Sequence, residues 1–457
     1  MEKYPRQIIS SYGLMKANSF YCKPENYDEL IDCINYGKAS GLKINPTGSR
    51  QSFSNVCLVT DNISLDLKGL NNILNFVPEE FYITVQAGML TTDLLSFLMP
   101  KGFTISALTG SPLNTIAGDI SSDVNGKDSW KRGNFGENVI AMKVFRSNGD
   151  VMEITRISHP DLMDSIIAGL GLVAIIIEVT LRIITIPSMS LNTESVKCEN
   201  LNHQLQTLDD LDNSANEFAY CWTDPFAPAS NLGRGLCEKA NFSSSLIKGN
   251  KQPESLRTRA IQKIPTTLFW AVFKFFDYKI FYQYAGYLKY HFAKKQTYRL
   301  VAFNEYQYPM INVLPSWNQK FVPKGFREWQ ILFPKESFVE AYSEILSFCQ
   351  SQNFTPYVCA IRKHKPQSPY LSFSGDGYSM TINYDLNLYS TNQIEKVEQA
   401  LIFKILKYKG RVYLSKFPFF SPQEVHKMYP NYHKFVTSKG HFDRIGLFWS
   451  NAAETLL

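Results

Sequence analysis

Two periods of hydrophobic and polar residues alternate along the chain, and the switches between them outline its elements. "LKINPTGSRQSF" (42–53) begins as a strand and ends in a turn carrying Pro46, Gly48 and Ser49. "VCLVTDNISLDL" (56–67) continues with β-branched alternation, and "FYITVQAGM" (81–89) predicts a further strand ending at Gly88. "TTDLLSFLMPKG" (91–102) reads as one helix, capped by Thr91 or Thr92 and ended by Pro100–Gly102. "VIAMKVFRSNGDVMEIT" (139–155) predicts a hairpin, because Asn148-Gly149 suits left-handed turn positions. "HPDLMDSIIAGLGLVAIIIEVTLRIIT" (159–185) passes from a helix through Gly169 and Gly171 into a long strand, and Pro187 closes the block.

From 188 to about 407 the pattern is that of a second mixed unit. "SVKCENLNHQLQTLDDLDN" carries helical spacing, "EFAYCWTD" reads as a strand, and "KESFVEAYSEILSFCQSQ" and "TNQIEKVEQALIFKILKYKG" read as amphipathic helices. A chain of 457 residues exceeds one ordinary core, so the boundary at 187 separates two α+β domains. No internal repeat interrupts them.

Composition narrows the class. Hydrophobic residues at 44% and charged residues at 19% belong to a globular protein, and a net charge of +6 does not call for nucleic acid. The eight cysteines form no CxxC pair and no metal or disulfide framework, so they read as reduced and mostly buried. "MEKYPRQIISSYG" lacks the apolar stretch of a signal peptide, and "IIAGLGLVAIII" (166–177) is too short to span a bilayer. A soluble or peripheral protein is expected, cytoplasmic or at the inner membrane surface. Aromatics reach 14% and concentrate in 266–295, which also carries Lys274, Lys279, Lys289, Lys294 and Lys295 with Asp277 as its one acid. Such a stretch either lies at a membrane interface or is a buried aromatic helix with snorkelling lysines, and the pattern leaves both open.

Chemistry concentrates where glycine does. "TIAGDISSDVNGKDSWKRGNFGENV" (115–139) places Gly118, Gly126, Gly133 and Gly136 among Asn and Asp. Glycine costs backbone entropy, so this density implies close approach of the main chain to something, or merely a loopy surface. There is no GxxxxGK[ST], and no GxGxxG opens a helix after an early strand, which argues against P-loop and ordinary Rossmann sites. Several separate glycine turns remain as the way to hold a nucleotide-like cofactor: 46–54, 108–130 and 168–174.

The ordered series of that first turn, "VQAGM", "TIAG", "NGK", "GNFGENV", "VFRSNGDV" and "GLGLVAIIIEVTLRI" resembles the FAD-binding domain of the vanillyl-alcohol oxidase/p-cresol methylhydroxylase (PCMH) superfamily, over about the first 185 residues. Within it the chain is most similar to the decaprenylphosphoryl-ribose 2-oxidase family. That likeness extends through "YCWTDPFAPASNLGRG", "VAFNEYQYPMINVLPSWNQKF", "REWQILFP", "PYLSFSGDGYSMTINYDL" and "GRVYLSKFPFFSPQEVHKMYP". The resemblance implies an α+β two-domain flavoprotein: a PCMH-type FAD-binding domain at 1–187, a substrate (cap) domain on an antiparallel sheet at 188–407, and a segment, 408–457, returning to the first domain.

It also implies a site. FAD falls to Gly48, Ser49, Arg50, Gln51, Ser52, Phe53, Gly110, Ser111, Thr115, Gly118, Ser122, Asn125, Gly126, Asn134, Phe135, Gly136, Gly171, Ala174, Ile176 and Tyr413. A diphosphate close to the chain needs backbone amides unobstructed by Cβ, which is the reason for glycine there. Lys416 and Tyr413 are the expected catalytic pair: an ammonium stabilises negative charge as the flavin is reduced, and the phenol donates a hydrogen bond. Without the resemblance, Lys416 reads as a solvated lysine after a strand and Tyr413 as packing. Lys127, Gln330, Arg362, Ser379, Thr381 and Lys416 are the expected substrate residues, with Lys363 an alternative register for Arg362. Three departures stand out: Asn125 replaces the family histidine, so the flavin has no covalent anchor at that position; Ser379 and Thr381 replace an Asn and a Cys; and Arg50 replaces a glycine of the first turn. His203, His291, His364 and His426 show no metal or triad spacing.

The resemblance implies oxidation of a secondary sugar hydroxyl to a keto group, on a pentose linked to polyprenyl phosphate, as the first half of an epimerisation in cell-envelope polysaccharide synthesis. An NAD(P)-dependent keto-sugar reductase and a quinone or similar electron acceptor would be partners, with peripheral membrane contact and no nucleic acid. Two rivals remain at this level: an aldonolactone or alditol oxidase using dioxygen, and a flavin-binding protein without turnover.

Overall fold

The computed structural model describes residues 3–213, 215–245, 278–309, 316–354, 356–357 and 359–457. Two sheets arise from the first 182 residues. One is four-stranded, ordered Arg6–Ser10, Lys16–Cys22, Ile63–Asp66, Ile44–Thr47. Helix Tyr27–Ala39 connects the two strands that flank Ile63–Asp66 and buries Leu30, Cys33 and Ile34; its cap, Asn26, accepts the Glu29 N–H. The other sheet is antiparallel, ordered Ile73–Val77, Tyr82–Gln86, Ile175–Arg182, Val139–Phe145, Val151–Thr155. Ile175–Arg182 is central because it is apolar on both sides, with only Glu178, Thr180 and Arg182 less than buried.

The second unit is an eight-stranded antiparallel sheet. Its order is Gln296–Ala302, Ser190–Cys198, Gly235–Phe242, Phe218–Thr223, Cys359–His364, Gly377–Asp385, Phe326–Pro334, Arg411–Val412. Helices Lys335–Ser351 and Thr391–Lys407 cover one face, burying Phe338, Tyr342, Ile345, Val397, Leu401 and Ile405. Period two along Phe326–Pro334 sends Trp329, Ile331 and Phe333 to one face and Glu328, Gln330 and Leu332 to the other. The second set faces the glycine-rich loops of the first unit, since Gln330 Nε2 reaches Asn125 Oδ1 at 2.9 Å.

After Thr391–Lys407 the chain adds Arg411–Val412 to the sheet edge and returns to the first unit through helices Pro422–Met428, Tyr432–Phe442 and Ala453–Leu456. The Ile44 N–H donates to the Leu447 carbonyl at 2.8 Å, and the Trp449 N–H to the Ile44 carbonyl at 3.0 Å. Lys439, buried, donates from Nζ to the Leu172 and Phe448 carbonyls at 2.7 and 3.0 Å and pairs with Asp443 at 2.9 Å.

Several sequence expectations change. The helix at 91 begins one residue early, with Leu90 as an N-cap lacking a side-chain bond, because Thr91 Oγ1 is spent on Asp119 at 2.7 Å. Only Ile63–Asp66 of "VCLVTDNISLDL" is strand. The helical spacing from 195 belongs first to strand Ser190–Cys198, and the helix starts at Leu201 after its Asn200 cap. Cys221 and Cys237, directly opposed on neighbouring strands, form a disulfide with Cα atoms 4.0 Å apart. Sequence spacing alone does not reveal a pair that strand register creates. Of the basic aromatic stretch, 266–277 lies outside the described residues, and Tyr278–His291 is a helix. No helix among the described residues is long and apolar enough to cross a membrane, and none of their side-chain clusters could hold a metal ion.

Candidate functional site

The three glycine turns, remote in sequence, meet in space. A Cβ on Gly48 would lie 2.0 Å from Thr115 Oγ1, the atom that accepts the Gly118 N–H at the start of helix Ile116–Ser121. Gly171, at φ +74°, sits where a Cβ would lie 3.2 Å from Pro46. Gln51 Oε1 accepts from Ser111 Oγ at 3.3 Å, and the Leu170 N–H donates to the Ser121 carbonyl at 2.9 Å. No acceptor among the described residues meets the backbone N–H groups of Ser49, Arg50, Gln51 and Ser52. A run of free amides beside a glycine packed hard against its neighbour is what an anionic diphosphate requires, so the residues fit FAD. Arg50 occupies this turn in left-handed conformation, φ +54°, and its guanidinium pairs at 3.2 Å with fully buried Asp66. That ion pair offsets the backbone cost of about 1 kcal/mol for a side chain in this region.

The sheet face opposite carries the polar groups. Lys416 follows the edge strand Arg411–Val412; its ammonium pairs with Glu328 Oε1, and both remain largely buried. Ser52 and Ser54 hydroxyls donate to the Ser415 carbonyl at 2.8 and 3.0 Å, which ties the Lys416 run to the first turn. Two residues along from Glu328, Gln330 exchanges bonds with Asn125, and its carbonyl accepts the Tyr413 N–H at 2.9 Å. Asn125 Oδ1 also accepts from Arg362 Nη1 at 2.7 Å. Asn125 therefore joins two strands of the cap to the glycine loop. Thr381 lies opposite Gln330, and Ser379 opposite both Leu332 and Arg362. Ser379 Oγ is engaged at 2.8 Å by His364 Nε2, whose ring burial pushes down to about 3, so it stays neutral.

Lys127 is 6% exposed; its Nζ donates to the Tyr306 carbonyl and lies 4.1 and 4.6 Å from the Tyr306 and Tyr220 ring centres. Desolvation lowers it to about 7, and Arg362 adds to the shift. Burial also lowers Arg362, and it raises Tyr413, whose ring packs 5.3 Å from Phe373.

Other candidate residues take supporting places. Asp123 accepts the Gly136 N–H at 3.0 Å, Asn134 Nδ2 at 3.2 Å and Ser372 Oγ at 2.6 Å; burial lifts it to about 6. Asn134 and Gly136 thus spend donors on Asp123, beside buried Phe135. The Gly126 N–H is spent on Ser129 Oγ at 2.8 Å. Ser122 closes helix Ile116–Ser121, Ala174 and Ile176 are buried around the start of Ile175–Arg182, and Gly110 faces open space. Lys363 points away, 3.2 Å from Asp209. Sequence reasoning missed Glu328, Tyr220, Tyr306 and Glu238. The two-residue spacing of Glu328 from Gln330 is the signal that could have found the first.

The arrangement has amides for a diphosphate on one wall. On the other it has a cation–carboxylate pair with hydrogen-bonding groups for a polyhydroxylated molecule. The model of the FAD binding domain family matches residues 19–155. The chain is 23% identical over 399 residues to decaprenylphosphoryl-beta-D-ribose oxidase of Mycolicibacterium smegmatis, covering 86% of this chain and 84% of that enzyme. It is 23% identical over 459 residues to L-gulonolactone oxidase of Mus musculus, covering 96% of each. With D-arabinono-1,4-lactone oxidase of Saccharomyces cerevisiae it shares 27% over 219 residues, 47% of this chain and 40% of that one.

Proposed function

We propose that this chain, an FAD-dependent oxidoreductase acting on CH–OH groups through a PCMH-type FAD-binding domain, oxidises a secondary hydroxyl of a sugar to a keto group, on a pentose attached to polyprenyl phosphate. Bound FAD supplies the hydride acceptor. The observation that carries the reading is the Lys416–Glu328 pair, held beside the first glycine turn by the Ser415 carbonyl. Glu328 takes the hydroxyl proton, and the Lys416 ammonium holds the oxygen as it becomes a carbonyl. Gln330, Thr381 and Arg362 orient the remaining hydroxyls from neighbouring strands. Tyr413 fixes the edge of the site through its backbone bond to Gln330.

The flavin is held without a covalent bond at Asn125, whose amide is committed to Gln330 and Arg362. A separate NAD(P)-dependent reductase consumes the keto product, completing an epimerisation, and a quinone or similar acceptor reoxidises the protein. Ile280, Tyr284, Tyr287, Phe292 and Tyr298 are exposed beside Lys294 and Lys295, a surface suited to peripheral membrane contact and to a lipid-linked substrate.

The similarity to L-gulonolactone oxidase over 96% of both chains favours a second reading, oxidation of an aldonolactone with dioxygen. Anaerobic bleaching of the flavin, followed at its visible absorbance, separates them. Lipid-linked pentose bleaches the protein on the first reading. Bleaching by free lactones alone, with rapid oxygen consumption in air, overturns it in favour of the second.

A further inference from the structure

Deepening the reading above, and resting on its placement of the reacting hydroxyl at Lys416, we infer that the far end of the same site is built to receive an anionic group carried by the sugar itself. The receiving groups are the Arg362 guanidinium, the Lys127 ammonium and the Tyr306 hydroxyl.

Arg362 and Lys127 are both cations taken largely out of water, and neither has a carboxylate within 4.0 Å among the described residues. Burying a charge without a close partner costs several kcal/mol, so a fold that retains two such cations within electrostatic reach of each other gains from a bound anion. Arg362 uses Nη1 on Asn125, which leaves most of its fork of donors unspent among the described residues. Among the described residues, Lys127 Nζ donates to the Tyr306 carbonyl alone. The Tyr306 hydroxyl is buried, 6% exposed for the residue, and has no partner among the described residues. It lies near both, since Arg362 acts on it electrostatically and Lys127 sits over its ring.

The surrounding acids are already committed. Glu238, the carboxylate acting on Lys127, accepts from Tyr220 Oη at 2.8 Å, and Asp128 accepts the Ala107 N–H at 2.9 Å. Glu328 is taken by Lys416. Three neighbouring donors, two of them cationic and one a planar fork, suit a phosphate or a carboxylate, whose oxygens accept bidentate bonds. A neutral lactone or polyol suits them less, because it would leave both cations with only the more distant Glu238, Glu328 and Asp128 as counter-charges. The inference selects substrates by charge on the sugar, independently of any lipid.

The test uses the purified protein loaded with FAD and follows its visible spectrum during titration with ribose 5-phosphate, ribonate and ribitol. The first two carry the anion as phosphate or carboxylate, and the third lacks one. Binding of at least one charged ligand, at least tenfold tighter than ribitol, is the expected result. Arg362→Gln should remove about tenfold or more of that preference, Arg362→Lys should restore part of it, and Tyr306→Phe should weaken the charged ligands alone. Equal affinity for ribitol and both anions, or a preference unmoved in Arg362→Gln and Tyr306→Phe, overturns the inference. The two readings fail separately. Anions that bind with Arg362 dependence but never bleach the flavin refute the proposed reaction and leave the anion site standing. Bleaching by lipid-linked pentose with no charge preference does the reverse.

Discussion

Lys416→Met is the sharpest perturbation of the site, because it removes the ammonium while keeping a side chain of similar reach. Its partner Glu328 has a side chain only 9% exposed and, among the described residues, is left with Asn383 Nδ2 at 3.4 Å as a donor. Breaking a buried pair from one side costs roughly 3–5 kcal/mol. Lys416 is 24% exposed, so water reaches the orphaned carboxylate and the cost falls to about 1–3 kcal/mol. That corresponds to a melting temperature lower by several degrees. The catalytic loss is separate. Removing one preorganised donor from a developing oxyanion costs about 10²–10³ in rate.

The two effects are resolved by adding Glu328→Gln. The double variant has no orphaned charge and should regain the melting temperature, yet flavin reduction by substrate, followed anaerobically in a stopped-flow instrument, should stay slow. Parental bleaching rates in Lys416→Met, or full kinetic recovery in the double variant, would refute the assignment of Lys416 as the group that stabilises the reacting oxygen.

Gly48→Ala should lose FAD at least tenfold more readily in equilibrium dialysis, because the new methyl would meet Thr115 Oγ1 and displace the capped helix start. Lys127 gives a pH signature. Above about 7 the folded chain has released a proton that the unfolded chain keeps until its ordinary 10.5, so stability should rise with pH across that window. Lys127→Met should flatten the rise in denaturant midpoints compared at pH 6.5 and 9.5. Affinity for an anionic ligand should fall above about pH 7 in the parent protein, as the ammonium is lost, and should lose that dependence in Lys127→Met. Lys439→Met should destabilise the chain by about 3–5 kcal/mol in urea, since it leaves buried Asp443 without its counter-charge, held only by the Leu447 and Phe448 N–H groups, and strips a donor from two carbonyls, one of them Leu172 in the third glycine turn.

The parts of the molecule legible in the sequence were those with local causes. Asn148-Gly149 makes its own turn, and Ile175–Arg182 is apolar enough to be central wherever it lies. The glycine turns could be recognised as a set, because their order along the chain resembles a known FAD-binding domain, and the FAD binding domain family model covers 19–155, which takes in the first two. What remained hidden depends on register between strands far apart in sequence. Glu328 meets its ion-pair partner only when Lys416 arrives 88 residues later, and Cys221 meets Cys237 only through pairing of their strands. The Tyr306 hydroxyl is anomalous only once burial removes its alternatives. Side-chain competition also escaped: Thr91 looks like a cap until Asp119 claims its hydroxyl.

The return of the final helices to the first unit has a consequence for biogenesis. Lys439 and the bonds of Ile44 to Leu447 and Trp449 brace the third and first turns from residues far later in the chain. A chain that has not yet been synthesised through residue 449 lacks those braces, so the expected order is that flavin is held firmly only after residues 439–449 have docked. Truncation before residue 439 is expected to yield colourless protein, even though every turn that grips the diphosphate is still present.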